Sequence, residues 1–184
     1  IWLVSAVWMM YNASAISFLT FAGDYYISVG YNASHAGFLT SLLMVGSLLF
    51  SPFVGYLIDR VGKEEHFIIA GSIAIAIVLF LVPRSELHPL LLGGIIGLSA
   101  AFIPAPVFSL VPKILPAAKV GLGYGILSTF LNVGVLAGPV LIGYSYDQSF
   151  SYLPGFNLMA IFALATAVFA LILDRKSTRL NSSH

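Results

Sequence analysis

The chain has 184 residues, of which 59% are hydrophobic and only 8% charged, and its mean hydropathy is +1.00. Soluble domains carry about a quarter charged residues, so this balance excludes one and identifies an integral membrane protein. At roughly 20 apolar residues per bilayer span, the length holds six spans with short loops, and without cysteine there is neither a disulfide framework nor a thiolate metal site.

The two ends shape how the charge is read. The chain starts at Ile1 inside an apolar run, with no initiator Met and no signal-peptide pattern, which reads as a truncated N-terminus. Residues 174–184 (DRKSTRLNSSH) read as one frame of a short-read sequencing adapter rather than biological sequence. Setting them aside leaves 5 basic and 6 acidic residues, so the formal charge moves from +1 to −1. No polybasic lipid-binding tail is then expected.

The first predicted span covers 1–21. It carries Ser5, Tyr11, Asn12, Ser14, Ser17 and Thr20, more polar groups than a helix facing lipid alone tolerates. Ser5, Trp8, Asn12 and Ala15 share one face at helical spacing, either as the wall of a substrate cavity or as glue between helices. Residues 24–35 read as a polar loop whose Tyr25, Tyr26 and Tyr31 form an interfacial aromatic belt. The decapeptide YNASAISFLT at 11–20 nearly repeats as YNASHAGFLT at 31–40, but one copy lies mid-span and the other at a loop, so the two are not equivalent units.

A second span over 36–58 shows Ser47, Ser51 and Gly55 every four residues, a small-residue stripe suited to close helix packing, with Pro52 expected to bend it. The third span, 67–82, is rich in Ile and Ala and reads as a support helix. The fourth, 90–111, has Gly93, Gly97, Ala101 and Ala105 at a spacing of four, then Pro104 and Pro106. These prolines interrupt the helix, and carbonyls freed there need protein or cavity water. The fifth span, 120–144, holds Gly125, Gly134, Gly138 and Pro139 with Ser128 and Asn132, and a sixth covers 158–173.

Between the second and third spans, 5 of the chain's 15 acidic and basic residues fall in 59–65. Such a cluster cannot lie in hydrocarbon, so it marks a membrane surface. Basic residues place that surface: Arg60, Lys63, Lys113 and Lys119 share its side against Arg84 alone on the other. By the positive-inside bias the loop at 59–65 is expected to be cytoplasmic, most simply in a plasma (inner) membrane.

Gly55, Leu57, Asp59, Arg60, Gly62 and Lys63 resemble the signature GxLxDRxGR of the major facilitator superfamily, placed between the second and third helices of each half; the match departs at Glu64, where a further base is usual. Gly125, Gly134, Gly138 and Pro139 resemble the superfamily's antiporter motif, with Ile142 in place of one of its glycines, so antiport does not follow. The phrase GLGYGILSTFLNVGVLAGPVLIGYSYD is similar to branches that include lysosomal dipeptide carriers and bacterial cyanate- or nitrate-type carriers, whose substrates differ.

The resemblance covers 1–173 and implies an all-α fold of six transmembrane helices, half of a twelve-helix transporter in which two halves enclose a central cavity. The second half fits best, since the fourth span lacks a membrane-embedded arginine and Glu64 suits the looser form of the signature. The implied function is transport of a small polar solute or organic anion by alternating access in a secondary carrier. Asp59 and Arg60 would be gating elements, Asp59 bonding the positive N-terminal end of a helix in the opposite half, with Gly55 and Gly62 permitting close packing and a tight turn.

Substrate contacts are expected from Tyr11, Asn12, Ser128 and Asn132, and helix packing from Ser47, Ser51, Gly93, Gly97, Gly134, Gly138 and Pro139. The expected partners are the lipid bilayer, a small-molecule substrate and the missing other half, with no cofactor or metal. No ionisable group lies deep in a span, so coupling would reside in the other half or the carrier would be a uniporter. Competing readings are a non-transporting scaffold or receptor on the same fold and a stand-alone six-helix membrane protein. A membrane enzyme has no HExxH, GxSxG or GK phosphate-loop motif to rest on, and nucleic-acid binding has no basic patch.

Overall fold

A computed structural model describes residues 1–181, with side chains described through residue 176. Seven α-helices follow one another: α1 (Trp2–Ser28), α2 (Ala33–Val61), α3 (Glu64–Leu81), α4 (Pro89–Ala101), α5 (Pro104–Ile114), α6 (Val120–Ser149) and α7 (Tyr152–Asn181). Because α4 and α5 together make one span, six segments are long and apolar enough to cross a membrane. No strand occurs among the described residues. In hydrocarbon only a helix or a closed barrel satisfies every backbone polar group, and this composition selects helices.

The helices run past the apolar stretches that mark them in the sequence. α1 continues to Ser28, so Asp24, Tyr25 and Tyr26 are helical rather than part of a loop over 24–35. Packing explains the extension: Tyr26 is buried, and the Tyr25 ring lies 4.8 Å from Phe156 and 5.9 Å from Tyr152. The turn shrinks to 29–32, closed by Gly30 at φ 103° and by Asn32, whose side chain accepts from the His35 amide at 2.9 Å to cap α2. Likewise α7 begins at Tyr152 instead of 158, after a turn at Phe150 with φ 50°.

The repeated tetrapeptide YNAS thus takes two conformations. Asn12 sits mid-helix and donates to the Trp8 carbonyl at 2.8 Å, whereas Asn32 caps a helix start.

α1 is the central element, packed along both α6 and α7, while α3 packs on α7 and α2 on α4. Glycines set the closest approaches. A Cβ on Gly138 would stand 2.5 Å from the Ala13 carbonyl oxygen and 2.8 Å from its Cα, and Gly134 meets the Met9 carbonyl in the same seam. Ser17, buried on α1, occupies the room that Gly138 leaves.

Gly93 and Gly97 of α4 face Leu42 and Gly46 of α2. Gly46, rather than the stripe of Ser47, Ser51 and Gly55, is therefore the small residue of that seam, because each residue step turns a helix by about 100°. Ile142, which stands where the antiporter-like pattern has a glycine, is fully buried and reaches within 3.0 Å of where a Cβ on Gly155 of α7 would lie. Glycine and bulk have exchanged helices there.

α1 is the most enclosed span, and α2 and α6 are the least. Leu48, Leu49, Phe53 and Tyr56 of α2 and Leu122, Leu136, Val140 and Tyr144 of α6 are exposed. The segment 174–181 continues α7 as helix, and residues 182–184 lie outside the described residues.

These seams separate two kinds of glycine on one helix. Gly138→Leu should destabilise the purified protein by about 1–3 kcal/mol through overpacking, whereas Gly125→Ala, with open space around its Cβ, should leave stability unchanged or slightly raised; thermal melting in detergent checks both, and equal effects would mean the α1–α6 contact is not limiting.

Candidate functional site

A cleft of about 460 Å³ opens between α1, α2 and the break in the fourth span, lined among others by Trp8, Tyr11, Asn12, Met44, Ser47 and Pro104. Its floor is α1. Trp8 stacks on Tyr11 with centroids 5.5 Å apart and meets Phe108 of α5 edge-on at 5.3 Å, so Trp8 and Tyr11 form an aromatic wall braced by Phe108. Asn12 uses its amide nitrogen on the Trp8 carbonyl, and its carbonyl oxygen has no partner among the described residues. The Tyr11 hydroxyl likewise has none.

Few polar groups on apolar walls is the usual make-up of a small-molecule site, and the volume lies within the roughly 300–1,000 Å³ of such pockets.

The break forms as the two prolines require. α4 ends at Ala101, Phe102 and Ile103 lie between the helices, and α5 starts at Pro104. Pro104 and Pro106 lack amide hydrogens, so the carbonyls of Ala100 and Phe102 lose their in-helix donors. Gly71 of α3 closes on this point: a Cβ there would stand 2.7 Å from the Ser99 carbonyl oxygen and 2.8 Å from the Phe102 Cβ. The sequence gives no signal for Gly71, which sits alone in an Ile- and Ala-rich helix.

Of the expected substrate ligands, the fold brings Tyr11 and Asn12 together in the cleft and leaves Ser128 and Asn132 apart from it. Those two lie one turn apart on the exposed face of α6, where Asn132 donates to the Ser128 carbonyl at 2.8 Å. The serines of α1 within the span point into the bundle, where Ser14 donates to the Met159 carbonyl at 2.8 Å and Ser5 and Ser17 are fully buried, whereas Thr20 is exposed and donates to the Ile16 carbonyl of its own helix. Ser47 and Ser51, expected in a helix seam, line the cleft instead, with Ser51 Oγ donating to the Ser47 carbonyl at 2.5 Å. Pro139 lies inside α6 without breaking it.

The charged turn is built by two consecutive left-handed residues. Gly62 at φ 64° donates to the Ile58 carbonyl at 2.8 Å and ends α2, and Lys63 at φ 70° starts α3. Arg60 in the last turn of α2 and Glu64 and Glu65 in the first turn of α3 each match the sign favoured by that helix end.

Asp59 is exposed and makes no hydrogen bond or ion pair among the described residues, and Gly55 faces open space. Beneath the turn, Val54 and Ile58 are buried with Ala101 against Phe67 and Phe102, so the turn rests directly on the break.

Glu64, the position that departs from the signature, is buried and ion-paired with Lys113 at the end of α5. Sequence reading missed this pair, although opposite charges at the ends of consecutive spans were its available signal.

A family model described as Major Facilitator Superfamily matches residues 2–184. The lysosomal dipeptide transporter MFSD1 of Homo sapiens is 20% identical over 173 residues, covering 94% of this chain and 36% of the relative, and that of Danio rerio is 19% identical with the same coverage. The quinolone resistance protein NorA of Staphylococcus aureus is 27% identical over 132 residues, covering 68% of this chain and 32% of its own length. The chain spans about a third of the length of these curated relatives.

The Glu64–Lys113 pair yields a charge-swap prediction. Glu64→Lys should lower the melting temperature of the purified protein by several degrees, since it sets two cations together at a half-buried site, and adding Lys113→Glu should restore most of the loss, about 1 kcal/mol for a pair exposed on one side. Equal melting of the single and double variants would remove the pair from the account.

Proposed function

The chain belongs to the major facilitator superfamily, and we propose that it is a six-helix half, the second, of a secondary carrier that moves a small polar solute or organic anion by alternating access. The observation that carries this reading is the cleft on α1, where Asn12 and Tyr11 present unpaired hydrogen-bonding atoms at membrane depth. An unpaired amide oxygen is unfavourable there unless a substrate or water meets it. A compact peptide-like solute fits both the volume and the mix of aromatic wall and neutral hydrogen-bonding groups, and since one relative is named a dipeptide transporter, dipeptides are the first substrates to try.

The other half of the same chain covers what this half leaves open. α2 and α6 are the least enclosed spans, and α6 exposes one broad arc, with Leu122, Val133 and Val140 along one edge and Gly121, Gly125, Ser128 and Asn132 along the other. In this reading the first faces lipid and the second faces the opposite half, with Ser128 and Asn132 meeting substrate from across the cavity.

Asp59, without a partner among the described residues, bonds a helix N-terminus of that half in one conformation and releases it in the other, which makes it a breakable latch. Arg60 and Lys63 beside it, with Lys113 and Lys119, support the reading of loop 59–65 as cytoplasmic by the positive-inside bias, in a plasma (inner) membrane. No residue of the chain is assigned catalytic chemistry, and no cofactor or metal enters the cycle.

Uptake of radiolabelled solutes into vesicles holding the complete carrier tests the scheme. Asn12→Ala should cut uptake about tenfold, the effect of losing one substrate hydrogen bond of about 1.4 kcal/mol, Asn132→Ala should weaken it less, and Asp59→Asn should slow turnover with the apparent affinity nearly unchanged, all three with normal membrane insertion. Wild-type uptake by both Asn12→Ala and Asp59→Asn would overturn the assignment of cleft and latch, and absence of any solute uptake would favour a scaffold.

A further inference from the structure

At the end of the bundle away from the charged turn, a cavity of about 250 Å³ lies between the last turn of α1 and the start of α4, lined by Tyr25, Tyr26, Tyr31, Val82, Ser85 and Glu86 among others. The Tyr26 ring stands 5.4 Å from that of Tyr25 and 6.0 Å from that of Tyr31, so one side of the cavity is aromatic. The Tyr25 hydroxyl is engaged, donating to the Val82 carbonyl at 3.1 Å. Tyr26, only 2% exposed, and Ser85 both hold buried hydroxyls without a hydrogen-bond partner among the described residues. A buried hydroxyl left unpaired is unfavourable, and two at one cavity point to an occupant that pairs with them.

The charge of the site is set by what its neighbours do. Glu86 forms no ion pair among the described residues. Arg84, two positions away, is turned elsewhere: it donates to the Phe80 carbonyl at 2.8 Å and to Asn157 Oδ1 at 2.6 Å, with its guanidinium carbon 3.9 Å over the Phe80 ring. The cavity is therefore left with an acid, aromatic rings whose faces attract cations, and hydroxyls able to accept.

No group of three metal-ligating side chains gathers among the described residues, and a single carboxylate is too few for a divalent ion that wants six or more oxygens.

We propose that this cavity binds a small organic ammonium ion. Glu86 serves as its counter-ion, the Tyr26 and Ser85 hydroxyls accept its N–H groups, and the tyrosine rings enclose its alkyl part. The site is separate from the cleft on α1 and does not rest on the transport reading.

The test uses the purified full chain in detergent, titrated with ethylammonium chloride and, separately, with neutral 1-propanol of similar size, and read by saturation-transfer NMR and calorimetry. Ethylammonium is expected to bind saturably and 1-propanol not to. Tetramethylammonium, which has the charge but no N–H, should bind several-fold more weakly than ethylammonium.

Glu86→Gln, at an exposed position that leaves packing intact, should weaken ethylammonium binding about tenfold, and Tyr26→Phe should weaken it several-fold. A signal that does not saturate, equal binding of 1-propanol, or an affinity unchanged by Glu86→Gln would overturn the proposal, leaving water as the occupant; the Glu86→Gln result decides even if Tyr26→Phe fails to fold.

Discussion

The backbone-to-backbone approach of α1 and α6 at Gly134 and Gly138 is the constraint on which the rest of the bundle depends. Between helices in a bilayer no hydrophobic force operates, because lipid tails are as apolar as leucine, and association relies on close packing. Glycine provides it here by letting the carbonyls of Met9 and Ala13 lie directly against the opposite helix. With α6 and α7 holding one side of α1, the buried serines of that side are fixed inside protein, and the other side, bearing Trp8, Tyr11 and Asn12, is left to form the cleft. One helix thus presents packing chemistry on one face and recognition chemistry on the other.

The break in the fourth span is the second organising feature, and it is tied to the charged turn by two contacts of different kinds. Val54, Ile58 and Phe67 pack on Ala101 and Phe102 from the turn side, and the Glu64–Lys113 ion pair links the first turn of α3 to the last turn of α5. Packing and the ion pair thus tie the half-helix after Phe102 and Ile103 to the turn that carries Asp59. Gly71 fits the same picture, since it brings α3 against the break itself. The cleft, the break and the turn form one connected unit along α2, α3 and α5.

The two ends of the bundle differ in chemistry as well as in charge count. At the end with Asp59 to Glu65, Arg60, Glu64 and Glu65 match the signs favoured by their helix ends and Glu64 pairs with Lys113, while Asp59 is exposed without a hydrogen bond or ion pair among the described residues. At the far end Arg84 is committed to Phe80 and Asn157, and the tyrosines that appear in sequence as an interfacial belt are drawn into a packed aromatic cluster with Phe156 and Tyr152. That packing is why α1 overruns its apolar stretch: three aromatic rings anchored in protein outweigh the exposed Asp24 among them.

Composition and the lengths of the apolar runs determined that the chain crosses a membrane as six helices, since nearly uncharged runs of about 20 residues suit helices rather than the short alternating strands of a closed barrel. The break at Pro104 was legible from the prolines themselves, because a missing amide hydrogen is a local rule, and the turn at 59–65 from its charge, which cannot lie in hydrocarbon. What the tertiary structure alone decided is which face each residue meets. Gly46 rather than Ser47 enters the α2–α4 seam, Asn12 lines a cleft while Asn132 stays on an exposed face, and Glu64 finds Lys113 49 positions away. Helical periodicity tells which residues share a face but not which neighbour that face will touch, and the neighbour is fixed only when the six spans pack together.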